Sequence, residues 1–134
     1  MTEQTSKTDE RTILIVEDDE TSFLLLQVYL SQKNYKILYA SNGKMAVDIF
    51  RQNKNIDLIL MDLKMPILDG YKAAGEIREL DEKIPIIAQT AYALSGDSEK
   101  AINAGCTDYI TKPIKKDLLL AKIENLLNKH SATR

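Results

Sequence analysis

Residues 58–62 read Leu58-Ile59-Leu60-Met61-Asp62, an apolar run that ends in a carboxylate, and Ile13-Leu14-Ile15-Val16-Glu17-Asp18-Asp19 repeats the pattern with three acids. Unbroken apolar runs of this length, rich in branched side chains and closed by polar residues, fit strands covered on both faces. Two such strands deliver carboxylates to their C-terminal ends, the edge at which open parallel α/β sheets bind ligands. Acids converging there repel one another by about 4 kcal/mol per close pair at an effective dielectric of about 20. A cation is needed to hold them, and Mg²⁺, which prefers oxygen donors, is the natural one.

Outward from these runs, short β-branched segments alternate with amphipathic ones five times, the signature of a βα-repeating fold on a parallel sheet. Strands are predicted near 12–16, 35–40, 56–61, 85–89 and 108–111, and helices near 20–33, 43–53, 70–80, 96–104 and 115–129. Gly105 reads as a helix C-terminal glycine, and Asp69-Gly70 closes the loop before the third helix. Leu119, Ile123, Leu126 and Leu127 form one apolar stripe on the last helix. The reading is one α/β domain over 11–129, flanked by loose polar segments at 1–10 and 130–134.

The chain's 134 residues suffice for a core without disulfides or structural metal. A net charge of −2 gives no reason to expect direct nucleic-acid binding. No stretch approaches the roughly 18 apolar residues of a membrane span, and Met1 to Arg11 lacks the apolar centre of a signal peptide. A cytoplasmic protein is expected. Cys106, the single cysteine, reads as a small buried side chain. His130, the single histidine, falls in the polar tail, so a phosphohistidine donor would have to be a partner.

Two more groups fall at strand ends. The Thr90 hydroxyl follows the fourth strand and suits a phosphoryl oxygen. Lys112 follows the fifth and brings a point charge, with Pro113 favouring a cis peptide that aims it inward. An aspartate beside a metal and a lysine can attack phosphorus and carry the group as an acyl phosphate. Singly each residue has a plainer role, Asp19 as a helix cap, Thr90 as a strand former, Lys112 as a solvated charge. Their convergence is what points to phosphoryl transfer.

From Arg11 to Lys129 the chain resembles the receiver domain of two-component response regulators. The resemblance is carried by Ile13 through Asp19, by Leu60-Met61-Asp62-Leu63-Lys64-Met65-Pro66 with Asp69-Gly70, by Thr90-Ala91 and by Lys112-Pro113. It implies a flavodoxin-like, doubly wound (βα)5 fold with strand order 2-1-3-4-5. It implies Asp62 as phosphoacceptor, Asp18 as a direct Mg²⁺ ligand, Glu17 in the other acidic-pair position, Lys64 giving its backbone carbonyl to the metal, and Thr90 with Tyr109 as the switch pair. It further implies a histidine kinase or histidine phosphotransfer protein as donor and a protein effector at the fourth and fifth helices. The expected protein is a phosphoacceptor that promotes its own phosphorylation and slow dephosphorylation, not an enzyme, and is monomeric or a weak dimer. Whether it is a stand-alone regulator or a module of a hybrid kinase is left open.

Glu17 and Gln89 depart from the family pattern, which more often has an aspartate and an apolar residue there. The first helix is unusually apolar, with only Gln27 polar between Phe23 and Leu30. If Leu25, Leu26 and Tyr29 face the sheet, Leu24 and Val28 point away, with Phe23 at the shoulder, and these three form the expected donor-docking patch. Tyr92 is expected to flank the phosphoryl group and slow its hydrolysis. Of the competing readings, a haloacid-dehalogenase phosphatase needs a second aspartate where Lys64 stands, and a flavin or dinucleotide binder would not place three acids after its first strand. A degenerate receiver acting only as an interaction module is the remaining alternative.

Overall fold

The computed structural model describes residues 10–65, 68–91 and 96–132. Five parallel strands, β1 (Arg11–Val16), β2 (Tyr35–Ala40), β3 (Ile56–Asp62), β4 (Ile86–Thr90) and β5 (Asp108–Thr111), lie in the order β2-β1-β3-β4-β5. Among the described residues five helices follow them: α1 (Glu20–Leu30), α2 (Gly43–Gln52), α3 (Gly70–Leu80), α4 (Asp97–Ala104) and α5 (Lys116–Ala132). This is the flavodoxin-like receiver fold expected from the sequence.

Side-chain alternation sorts the sheet into two cores. Ile13, Ile15, Leu58, Leu60, Ile87 and Ile110 pack with Leu26 and Leu30 of α1 and the Leu119, Ile123, Leu126 and Leu127 stripe of α5. Leu14, Val16, Ile59, Met61, Ile86 and Ala88 face α2, α3 and α4. All seven residues of β3 are buried, which is why its sequence runs apolar rather than alternating. Asp57, the polar exception inside it, accepts the Thr12 amide at 2.8 Å, at the place where the β1–β3 register shifts.

Asp19, Asn42 and Asp69 cap α1, α2 and α3, each accepting a backbone amide three residues on. Helix α4 ends on Gly105 at φ +118°, the left-handed position that favours glycine. Two boundaries differ from expectation by more than one residue. Helix α1 stops at Leu30 because the Ser31 hydroxyl takes the Val28 carbonyl at 2.7 Å. Helix α5 continues to Ala132 through a stretch without glycine or proline, so His130 lies on a helix and not in a tail. The inference of an external donor from its placement therefore falls.

Arg78 on α3 joins the helices of one face. Its guanidinium donates to the Gly105 carbonyl through Nε at 2.9 Å and Nη2 at 2.6 Å, and to the Asp81 carbonyl through Nη1 at 3.1 Å. The forked geometry serves helix-terminal carbonyls that otherwise lack partners. Arg78→Ala is expected to lower unfolding free energy by about 2 kcal/mol, with Arg78→Lys recovering less than half, as read from urea denaturation midpoints.

Candidate functional site

Strands β1 and β3 deliver their acids to one edge, as their register requires. Val16 pairs with Met61, so Glu17 comes opposite Asp62. Glu17 is 1% exposed, Asp62 is 5% exposed, and Asp18 projects outward. Ligand oxygens of all three lie within 4.8 Å of one another. The Lys64 amide donates to Asp62 Oδ1 at 3.2 Å, and the Asp19 amide to Glu17 Oε2 at 3.3 Å. From β5, Lys112 Nζ stands 3.5 Å from Asp62 Oδ2 and 3.7 Å from Glu17 Oε1. Those separations exceed the roughly 2.7–2.9 Å of a charge-assisted hydrogen bond, so one ammonium attracts both carboxylates without saturating either.

The shortfall falls on Glu17. Its Oε1 has no hydrogen-bond partner among the described residues. Burial first, then the neighbouring Asp62 carboxylate, pushes its carboxyl up from 4.5 to about 7, against the weaker pull of Lys112 and the Asp19 amide. A buried, orphaned carboxylate oxygen beside two further carboxylates is a hard-oxygen donor set, and it fits a Mg²⁺ ion.

The remaining predicted residues fall around this cluster. Thr90 is buried at the end of β4, and its carbonyl accepts the Lys112 amide at 2.8 Å. The Lys112-Pro113 peptide is cis, as the sequence suggested. Ala88 pairs with Tyr109 and Thr90 with Thr111, which puts Thr90 and Tyr109 diagonally on one sheet face. The Tyr109 ring is turned out, 37% exposed, with Lys122 Nζ at 5.9 Å from its centroid. Asp19 acts as the α1 cap, accepting Ser22 N at 2.9 Å and Ser22 Oγ at 2.7 Å. Tyr92 and Pro66 lie outside the described residues.

On α1 the expected faces need one correction. Leu24 and Val28 are exposed, at 51% and 64%, but Leu25, expected against the sheet, is also 46% exposed. Leu26 and Leu30 take the sheet-facing positions, because an i, i+4 pair meets the strands squarely and leaves Leu25 on the flank. Phe23 is half-buried at the shoulder, its ring 4.2 Å from that of Tyr39. Gly70 does more than close the loop before α3, because a Cβ there would collide with the Asp62 carbonyl and lie 2.7 Å from Leu63 Cα. The first turn of α3 thus presses on the backbone of Asp62, a contact that sequence spacing does not show.

The response regulator receiver domain model matches residues 13–124. The chain belongs to that family. It is 40% identical over 126 residues to hybrid signal transduction histidine kinase I of Dictyostelium discoideum, covering 88% of this chain and 7% of that protein's length. Among solved structures, the receiver domain of sensor histidine kinase PA1611 of Pseudomonas aeruginosa, with a magnesium ion in its active-site cleft, superposes with a TM-score of 0.83. It is 36% identical and covers 89% of this chain and 98% of that one. The receiver domain of Saccharomyces cerevisiae Ssk1, solved in complex with the histidine phosphotransfer protein Ypd1, gives 0.79 at 33% identity, over 85% of this chain and 86% of that one. The chain is thus a receiver domain of two-component signalling. No helix among the described residues is long and apolar enough to cross a membrane.

The raised carboxyl of Glu17 sets a pH dependence. A buried acid whose folded value of about 7 lies above its ordinary 4.5 stabilises the fold in its protonated form, and that contribution is lost as pH rises through about 7. Without Mg²⁺ the melting temperature is expected to fall by about 5 °C from pH 6 to pH 8 relative to Glu17→Gln, and Mg²⁺ is expected to suppress the fall. Scanning calorimetry of both proteins with and without Mg²⁺ checks this, and parallel pH profiles would refute it.

Proposed function

We propose that this receiver accepts a phosphoryl group on Asp62 from a partner phosphohistidine and relays its state to a protein effector. The observation that carries the reading is a buried aspartate at the carboxyl edge of β3, with Lys112 Nζ at 3.5 Å and two further carboxylates gathered beside it. An Asp62 carboxylate oxygen attacks phosphorus, the P–N bond to an imidazole protonated on its other ring nitrogen breaks with the electron pair returning to the ring, and neutral imidazole leaves as the acyl phosphate forms. Lys112 moves from carboxylate to phosphoryl oxygens, and the Thr90 hydroxyl donates to another. Glu17, Asp18, Asp62 and the Lys64 carbonyl would hold Mg²⁺, which supplies charge neutralisation on the transferring group. The same groups, with a water, promote slow hydrolysis.

Withdrawal of Thr90 toward the phosphoryl group opens space on the face it shares with Tyr109, and the exposed ring turns inward. Moving such an equilibrium from 1:99 to 99:1 takes about 5.5 kcal/mol, which a Thr90 hydrogen bond and a Lys112 ion pair can together approach. The altered α4, β5 and α5 surface is the effector site. Nothing in the charge or the site calls for nucleic acid, and the setting is cytoplasmic. A histidine kinase or phosphotransfer donor is supported by the Ssk1 receiver, which was solved bound to Ypd1. Its docking patch is Leu24 and Val28, with Leu25 on the flank and Phe23 underpinning it. No observation favours the degenerate-module alternative, since Asp62, Lys112 and Thr90 stand together at one edge.

Intact mass after incubation with acetyl phosphate and Mg²⁺ tests the chemistry. One added phosphoryl group is expected on the wild type and none on Asp62→Asn or after chelation. An adduct that survives Asp62→Asn would refute it. For docking, Leu24→Asp with Val28→Asp is expected to slow transfer from a phosphohistidine protein at least tenfold while leaving acetyl phosphate labelling unchanged. Equal effects on both donors would remove α1 from the interface.

A further inference from the structure

Gln89 on β4 is 1% exposed, and neither Oε1 nor Nε2 has a hydrogen-bond partner among the described residues. Every other side chain of β4 from Ile86 to Ala88 is aliphatic, and an apolar residue at 89 would fill the position without desolvating an amide. A buried carboxamide with two unmade bonds therefore calls for a role. Alternation puts Gln89 on the face of Ile87, toward α1 and α5. In register it lies between Asp62 on β3 and Ile110 on β5, and Lys112 follows Ile110 by two residues on the same side. Glu17, Asp62 and Gln89 thus form one row, with Lys112 reaching back over it.

The two residues also share a cavity of about 250 Å³ between α1 and the segment after β5, whose walls include Leu25, Tyr29, Pro113 and Ile114. The space lets the carboxamide swing. A lysine ammonium carries three N–H donors, and the acceptors facing Lys112, Glu17 Oε1 and Asp62 Oδ2, stand off at 3.7 and 3.5 Å. Donor capacity on Lys112 and acceptor capacity on Gln89 meet at one cavity.

We infer that Gln89 is a positioning residue for Lys112, its carboxamide oxygen accepting from the ammonium and holding it over Asp62 during phosphoryl transfer. The inference rests on Asp62 being the phosphoacceptor, and it adds a neutral acceptor that steadies Lys112 without competing for its charge as a carboxylate would. An amide does this where an acid could not, because a further carboxylate would raise the repulsion already borne by Glu17 and Asp62.

The test compares wild type, Gln89→Leu, Lys112→Ala and the double variant, labelled with acetyl phosphate and Mg²⁺ and followed by intact mass, with thermal melts establishing that each is folded. Gln89→Leu is expected to melt at or above the wild type yet label about tenfold more slowly, and to have no further effect in the Lys112→Ala background. In nitrogen-15 spectra, the Lys112 side-chain nitrogen is expected to shift in Gln89→Leu. Wild-type labelling rates in Gln89→Leu, or equal slowing in both backgrounds, would overturn the inference, the latter assigning Gln89 to Asp62 or to the fold. Failure of the wild type to label at all would sink the phosphoacceptor reading, and an unmoved Lys112 nitrogen would sink the Gln89 contact separately.

Discussion

Two carboxylates, Glu17 and Asp62, are forced together at the edge of the sheet with one ammonium to share. The register of β1 on β3 leaves no freedom, since Val16 opposite Met61 brings the next residues face to face. Both are buried, and burial first, then repulsion from Asp62, raises the Glu17 carboxyl to about 7. A relaxed site would separate the acids or expose them. This one keeps them under tension, and the state that relieves the tension is one with an added divalent cation, or with the charge of Asp62 redistributed onto a larger group that Lys112 can follow.

Such a site needs a frame that does not yield. The wholly buried β3 supplies it, anchored at its far end by Asp57 on the Thr12 amide and at the near end by the Lys64 amide on Asp62. Behind Asp62 the first turn of α3 leaves no room for even a methyl group at Gly70. Small shifts of Asp62 are therefore felt by α3, whose other end Arg78 ties to the Gly105 carbonyl after α4. These contacts link the acid edge to the helices that frame the proposed output surface. Packed cores transmit such displacement because they lack free volume to absorb it.

The elements legible in the sequence are those set by local chemistry. Apolar runs closed by acids give buried parallel strands, Asp19 and Asp69 give helix starts, Gly105 gives a helix stop, and the Leu119–Leu127 stripe gives the face of α5. The clustering of the candidate site residues was legible because they fall at strand ends, where one sheet edge gathers them. What was not legible depends on contacts distant in sequence. Leu25 differs from its neighbours only in the angle at which α1 meets the sheet, and Gly70 differs from any loop glycine only in its approach to Asp62. Gln89 was legible as an oddity, but its place in the row with Asp62 comes from strand register. His130 was misplaced because polar residues near a terminus look like a tail whether or not the helix continues through them.

In the proposed relay the two sheet faces have different parts. Glu17, Asp62, Gln89 and Lys112 belong to the α1 and α5 face, beside the exposed Leu24, Leu25 and Val28. Thr90 and Tyr109 belong to the opposite face, with the Tyr109 ring turned toward solvent. A donor seated on α1 would thus approach Asp62 without covering Tyr109, and an effector reading Tyr109 would not block α1. Each face has its own core, and a change at the site passes between them at Asp62 and Thr90 on neighbouring β3 and β4 and where Gly70 of α3 presses on the Asp62 backbone. In the proposed relay, input and readout meet at one sheet edge and along α5, whose Lys122 lies over the Tyr109 ring, so one covalent event at that edge can act on both surfaces.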